Sequence, residues 1–357
     1  MKALIAMSGG VDSSVAAYLM QQKGCDCIGC TMRLYDNETA GIDPEKSCCS
    51  LESTEDARSV ARRMGIPYYV FNYQEAFRES VIGPFIRSYE SGCTPNPCIE
   101  CNRCLKFGLL YERMRVLGCD CIVTGHYARI SRDPESGRYL LLRAADPGKD
   151  QSYVLYSLTQ EQLRHTAFPL GEYRKEETRA IAAAQGFCNA ERRDSQDICF
   201  VPDGDYAAFL SRTTGKQYAE GSFVDREGRE IGRHKGYIHY TIGQRRGLGI
   251  AWQHPLYVTG IDPERNIVTL GKNEELFRRE LTADRINLIS VPEIRGEMRV
   301  QARIRYHQAA VDAVVTQPEP DLLHVVFREP QRAVTPGQAV VLYDGERVVG
   351  GGTIRKG

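Results

Sequence analysis

A short apolar run, Ala3 to Met7, opens the chain and is closed by Gly9-Gly10. Val11, Val15 and Leu19 then recur at four-residue spacing and predict a helix over 11–23. The alternation continues. Cys27 to Met32 reads as a strand, 53–64 as a helix and Tyr68 to Phe71 as a third strand; 74–89 and 104–117 read as helices. Cys121 to Thr124 reads as a fourth strand, ending at Gly125-His126. Ser53 and Asp56 have the spacing of a capping box. Repeated strand–helix units of this length predict an α/β fold with a doubly wound parallel sheet. Ligands of such sheets lie beyond the carboxyl ends of the strands, where Ser8 to Ser13, Met32 and Gly125-His126 all fall.

After about Phe200 the texture changes. Gly, His and Tyr become frequent between Gly221 and Tyr257, and long helical patterns vanish. From about Thr282 short β-rich runs dominate, with turns at Pro336-Gly337 and Asp344-Gly345. The expected organisation is therefore a parallel-sheet domain over 1–203, a small central domain over 204–281 and a C-terminal β-barrel over 282–357.

Composition narrows the class. The 357 residues carry 46 basic and 46 acidic side chains, so a uniformly basic nucleic-acid sleeve is excluded, although a local patch is not. Apolar runs fall short of the ~18 residues of a membrane span, and no secretory signal is visible, which points to the cytoplasm and away from a membrane. Thirteen cysteines cannot all pair with one another. In a reducing compartment, clustered thiols read as metal ligands or reactive groups before they read as a disulfide framework.

Ser8-Gly9-Gly10-Val11-Asp12-Ser13-Ser14 follows a strand and opens a helix. Glycines allow close backbone approach, and free N–H groups at the helix start face an anion. The Gly-Lys-Ser/Thr ending of a Walker loop is missing. The bland alternative is a tight, capped strand-to-helix turn.

The segment Thr94-Pro95-Asn96-Pro97-Cys98-Ile99-Glu100-Cys101-Asn102-Arg103-Cys104 is the most informative. Its prolines forbid a helix before Cys98. Cys101 near a helix start, beside Arg103 and Lys106, is expected to have a favoured thiolate. A reactive nucleophile and a metal or iron–sulfur site with Cys-x2-Cys-x2-Cys spacing both fit. Cys199, in Asp194-Ser195-Gln196-Asp197-Ile198-Cys199-Phe200, has a similarly polar setting.

The phosphate loop resembles that of the ATP pyrophosphatase superfamily, whose fold is of the adenine nucleotide alpha hydrolase type. Six further segments extend the likeness along the whole chain. They are Thr94 to Pro97 with Cys101-Asn102, Gly125 to Ala128, Lys149 to Tyr153, Ser195 to Phe200, Tyr240 to Arg245, and Pro336 to Gln338. Together they resemble the tRNA-specific 2-thiouridylases, which sulfurate the wobble uridine of certain tRNAs. That resemblance implies ATP, with Mg²⁺, held by Ala6, Met7, Ser8, Gly9, Gly10, Val11, Asp12, Ser13, Met32 and Gly125. It implies a persulfide on Cys199 and Cys101 as its catalytic partner, able to form a disulfide with it. It implies tRNA contacts by Asn96, Pro97, Cys98, His126, Lys149, Asp150, Gln151, Arg305, Tyr306 and Gln338. It also implies a sulfur donor such as a cysteine desulfurase or a sulfur-relay protein.

One departure stands out. Many relatives carry Asp where this chain has Cys98. Cys98, Cys101 and Cys199 would also supply three thiolates to an iron–sulfur cluster, so the persulfide and cluster routes both stay open. An adenylating amidotransferase and a non-catalytic metal-binding RNA sensor are the remaining alternatives. The segment before Cys199 is expected to be mobile, ordering over the site when tRNA binds. Basic residues free of acidic neighbours between Ile231 and Ile261, interleaved with Tyr237, Tyr240, Trp252 and Tyr257, suit RNA. The period-two set Arg299, Gln301, Arg303, Arg305 and His307 predicts one basic face of a strand.

Overall fold

In the computed structural model, which describes residues 1–35, 51–192, 198–201 and 203–356, strand β1 (Lys2–Ala6) lies at the centre of a parallel sheet. Strands β2 (Asp26–Arg33) and β3 (Tyr68–Asn72) flank it on one side. Strand β4 (Cys121–Val123) lies on the other side and, beyond the hairpin β5 (Arg129–Arg132) and β6 (Tyr139–Leu142), β7 (Thr166–Ala167) completes the order β3-β2-β1-β4-β7. The reversal of direction beside β1 makes the crevice between β1 and β4 the ligand site of such a sheet. Alternate side chains serve two cores. Ala3, Ile5, Cys27, Cys121 and Val123 face helix α1 (Val11–Gln22), while Leu4, Ile28, Cys30 and Ile122 pack with Phe107, Leu110 and Met114. Both faces are thus covered, as the near-continuous apolar strands require.

The central unit is a four-stranded sheet of β8 (Gly221–Val224), β9 (Glu230–His234), β10 (Tyr257–Asp262) and β11 (Ile267–Gly271), in the order β10-β11-β8-β9. The C-terminal strands are β12 (Phe277–Leu288), β13 (Met298–Arg303), β14 (Val311–Glu319), β15 (Leu322–Arg332), β16 (Ala339–Asp344) and β17 (Arg347–Ile354). They run β12-β15-β14-β13-β16-β17, and β17 pairs back onto β12 to close a six-stranded barrel. Because β12 starts at Phe277, the boundary expected at 282 falls inside a strand.

The hairpin β5–β6 belongs in sequence to the first unit, yet it joins the barrel through the pair Arg347↔Leu142. Buried side chains are shared across the same seam: Tyr153, Val154, Leu155 and Tyr156 pack in one cluster with Ala339, Val341, Tyr343 and Val348. Glycine in β17 is required here, since a Cβ on Gly351 would sit 2.8 Å from the Tyr156 ring.

Three sequence expectations need correction. Ser53 does not cap a helix. It lies inside Leu51–Met64, where Ser53 and Asp56 instead receive the guanidinium of Arg192 at 2.9 and 2.6 Å. The basic strand face does not form either. Strand β13 ends at Arg303, and the chain then turns, so only Arg299 and Gln301 of the set lie exposed on the strand. Arg303 folds inward, 3.5 Å from Asp150 and over the rings of Tyr153 and Tyr306. Arg305 turns back to donate to Ala333 O and Thr335 Oγ1. Finally, of the aromatics expected to stack on RNA, Tyr240 is buried and Tyr237 donates to Glu90 O, whereas Trp252 is 48% exposed. The pair Cys48-Cys49 and Ser195 to Asp197 lie outside the described residues, as does the segment expected to be mobile before Cys199.

Arg303→Ala would leave the Asp150 carboxylate buried without its cation, a loss of about 3 kcal/mol. The urea midpoint of unfolding is expected to fall accordingly; an unshifted midpoint would mean that this pair does not brace the barrel against the sheet unit.

Candidate active site

The loop after β1 bends at Gly9, whose φ of +78° favours glycine. Any Cβ at this position would also collide with the Ser53 carbonyl, so only glycine fits. Gly10 sits at the N-cap of α1 and supplies no side-chain cap, so the first amides of the helix point out of the loop. Ser13 Oγ accepts from Ser8 N at 3.1 Å and donates to Gly10 O at 3.0 Å. Asn189, buried, donates to Gly9 O (2.8 Å) and Ser14 Oγ (2.9 Å) and fixes the loop from behind. Asp12 accepts from Lys175 Nζ at 2.6 Å and from Tyr127 Oη at 2.8 Å. The buried Lys175 neutralises the Asp12 carboxylate, so the free amides at the helix start are left to attract an anion without opposition from Asp12.

Gly125, after β4, meets this loop directly. A Cβ there would lie 2.7 Å from Asp12 C and Ser13 N. Ala6 ends β1, the Met7 amide donates to Cys30 O at 2.7 Å, and Met32 is the last residue but one of β2, so these positions border one crevice. His126 turns away from it. Its Nδ1 lies 2.7 Å from Thr124 Oγ1, and the ring packs between Phe107 and Phe168. Burial, reinforced by Lys106, holds its imidazole well below the usual value, so it is neutral at pH 7.

The cysteine loop enters its helix as the prolines dictate. Asn96 caps it, accepting from Cys98 N at 3.1 Å, and Pro97 occupies the first turn of Pro97–Glu100. Cys101–Leu109 continues in wider π turns, an arrangement that recurs at functional sites. Cys98 is exposed. Burial, followed by Asp150, raises the Tyr306 phenol, and the Cys98 thiol adds to the shift. Cys101 is buried among Tyr35, Phe77, Phe85 and Phe200, and Cys199 packs against that same cluster, with Tyr35 Oη donating to Cys199 O at 2.7 Å. Two thiols 98 positions apart thus share one apolar wall. Arg103 is not reserved for them: it pairs with Glu100, and Arg285 joins the same carboxylate at 2.9 Å.

Among the residues expected at the tRNA, Asp150 accepts from Ala144 N, Ser152 N and Ser152 Oγ, and Gln151 accepts from Tyr127 N. Both brace the loop that carries Lys149. Tyr306 packs edge-on to Tyr153. Among the described residues, no three His, Cys, Asp or Glu side chains converge as a metal site.

Comparisons with known proteins agree with this layout. The tRNA methyl transferase HUP domain model matches residues 1–203, the tRNA methyl transferase PRC-barrel domain model 207–272, and the aminomethyltransferase beta-barrel domain model 278–354. The chain is 50% identical to the tRNA-specific 2-thiouridylase MnmA of Clostridioides difficile, over 99% of this chain and 98% of that one. To the enzyme of the same name from Acetivibrio thermocellus it is 49% identical, over 99% of each chain. The chain belongs to the tRNA-specific 2-thiouridylase family. Within this thiouridylase, sequence reasoning missed Lys175, Asn189, Arg192 and Thr178, whose hydroxyl lies 3.0 Å from Tyr127 Oη. All four come from one stretch downstream of the sheet, and no local motif announces that it folds back onto α1.

Gly125→Ala is expected to push β4 from the start of α1 and weaken ATP binding at least tenfold, measured by calorimetry; equal affinity would separate Gly125 from the nucleotide site. Burial pushes the thiols of Cys27 up to about 11 and Cys121 up to about 12, and raises Cys30 further. Since only the thiolate reacts, brief iodoacetamide treatment at pH 8 should label Cys98 and spare these three until urea is added. Peptide mass mapping reads the outcome, and early labelling of Cys121 would contradict it.

Proposed function

We propose that this enzyme replaces the C2 oxygen of the wobble uridine of tRNA by sulfur, at the expense of ATP. What supports the reading is one juxtaposition: a phosphate-type loop at the switch point of the sheet, and two distant thiols gathered on one wall beside the cysteine loop. The C2 carbonyl is a poor electrophile and its oxygen a poor leaving group. Transfer of AMP to that oxygen, with release of pyrophosphate, makes the carbon reactive. In this reading the loop of Ser8, Gly9, Gly10 and Ser13, with Val11 and Asp12 at the helix start, holds the departing pyrophosphate. Lys175 offsets the Asp12 carboxylate, which would otherwise repel the pyrophosphate. The loop offers few carboxylates for a metal, so Mg²⁺ would be held chiefly by the phosphates and water.

Sulfur then arrives as a persulfide on Cys199, loaded by a donor such as a cysteine desulfurase or a sulfur-relay protein. The terminal sulfur attacks C2 and displaces AMP. Cys101 attacks the inner sulfur, which frees the transferred sulfur and leaves a Cys101–Cys199 disulfide for an external dithiol to reduce. The shared aromatic wall supports this route, because it brings the segments that carry both thiols to one cluster. Among the described residues Cys98, Cys101 and Cys199 do not converge as a metal site, so the reading follows the persulfide route. The uridine must leave the anticodon stack to reach them. Asn96, Pro97 and Cys98 would line its pocket, and Lys149, Arg245, Arg246 and Trp252 would meet the surrounding tRNA.

Cys199→Ser is expected to abolish 2-thiouridine while tRNA affinity stays within about twofold and pyrophosphate is still released. Mass spectrometry of the tRNA and a pyrophosphate assay measure both. Undiminished thiolation would end the persulfide reading.

A further inference from the structure

The cysteine loop has an unusual problem of attachment. Pro95 and Pro97 have no N–H, so much of the segment between Cys93 and Cys98 cannot hold itself by donating. Its carbonyls must be held from outside. Thr94 is where this happens. Its amide donates to Pro336 O at 2.9 Å, and its carbonyl accepts from Gln338 Nε2 at 2.8 Å. The same Gln338 nitrogen lies 3.3 Å from Pro95 O. Thr94 Oγ1 lies 3.4 Å from Thr241 Oγ1 of the central unit.

Two glycines bring these segments close. A Cβ on Gly337 (φ +88°) would lie 3.1 Å from Thr94 N and from Cys93 Cβ. A Cβ on Gly243 (φ +88°) would lie 2.7 Å from Ala333 Cβ, at the base of the same barrel turn. Residues 94, 241 and 338, from the sheet unit, the central unit and the barrel, therefore meet on one peptide. One residue further along, Asn96 caps the helix that carries Cys98 and Cys101.

We infer that Gln338 is a positioning residue for the cysteine loop. Its amide clamps the carbonyls of Thr94 and Pro95 and so fixes the Asn96 cap and the helix start behind it. The inference bears on sulfur transfer only through the function proposed above; the clamp itself exists in the free protein and is testable there.

Gln338→Glu keeps the shape but replaces the donor by an acceptor facing two carbonyls. Gln338→Lys restores a donor of similar reach. In the free protein, hydrogen–deuterium exchange at the amides of Thr94 and Cys98 is expected to rise at least tenfold in Gln338→Glu and to return most of the way in Gln338→Lys. In the thiolation assay, kcat is expected to fall at least tenfold in Gln338→Glu and to recover in part in Gln338→Lys. Unchanged exchange in Gln338→Glu, or raised exchange with unchanged kcat, would overturn the clamp. A wild-type protein unable to thiolate tRNA would overturn the functional reading alone and leave the exchange result to decide the clamp.

Discussion

Apolar burial between the sheet unit and the barrel is the constraint on which the rest of the molecule depends. Tyr153 and Tyr343 are fully buried, with Tyr156 nearly so, and their polar ends are satisfied across or near the seam: Tyr153 Oη donates to Ala339 O at 2.8 Å, and Tyr343 Oη lies 3.2 Å from Ser152 Oγ. At ~25 cal/mol per Å² and about 150 Å² each, a buried tyrosine contributes roughly 4 kcal/mol before entropy. Exposed ion pairs contribute about 0–1 kcal/mol. The seam is therefore held by rings, and charges such as Arg303 and Asp150 fix its register. Because Asn102 Nδ2 donates to Val154 O at 2.9 Å, the residue next to Cys101 is tied to the same seam.

The two ends of the parallel sheet divide the cysteines by chemistry. At the amino ends, Cys27 and Cys121 lie opposite Ala3 on β1 and stay protonated because burial penalises the thiolate. On the other side of the molecule, a proline-fixed helix start presents Cys98 outward and Cys101 inward. Sequence count alone would rank all of these thiols equally. Burial and backbone direction separate them.

Local pattern in the sequence was enough for the β1–α1 turn, the strands β2 to β4 and the general sense of a C-terminal barrel, because alternation and glycine spacing are local properties. It failed where the answer depends on a distant partner. Arg303 and Arg305 have the period of a solvent face, yet a turn and a buried carboxylate 153 positions away claim the first of them. Ser53 and Asp56 have the spacing of a cap, and Arg192 takes both. His126 is adjacent to a site glycine, but two rings from elsewhere enclose it. The hairpin β5–β6 shows no sign in its own residues that a barrel strand awaits it.

That hairpin has a consequence for how the molecule is made. Leu142 finds its strand partner at Arg347, 205 positions later (347 − 142), whereas the β1–α1 loop and the residues that hold it, Gly125, Lys175 and Asn189, all precede Leu210. A chain emerging from the ribosome amino end first can shape its nucleotide pocket early. It cannot seat β6, or the Pro336 turn against Thr94, until nearly every residue has been translated. The nascent protein thus acquires its energy source long before its sulfur-handling helix is locked in place, and assembly itself delays the moment at which the two are set to work together.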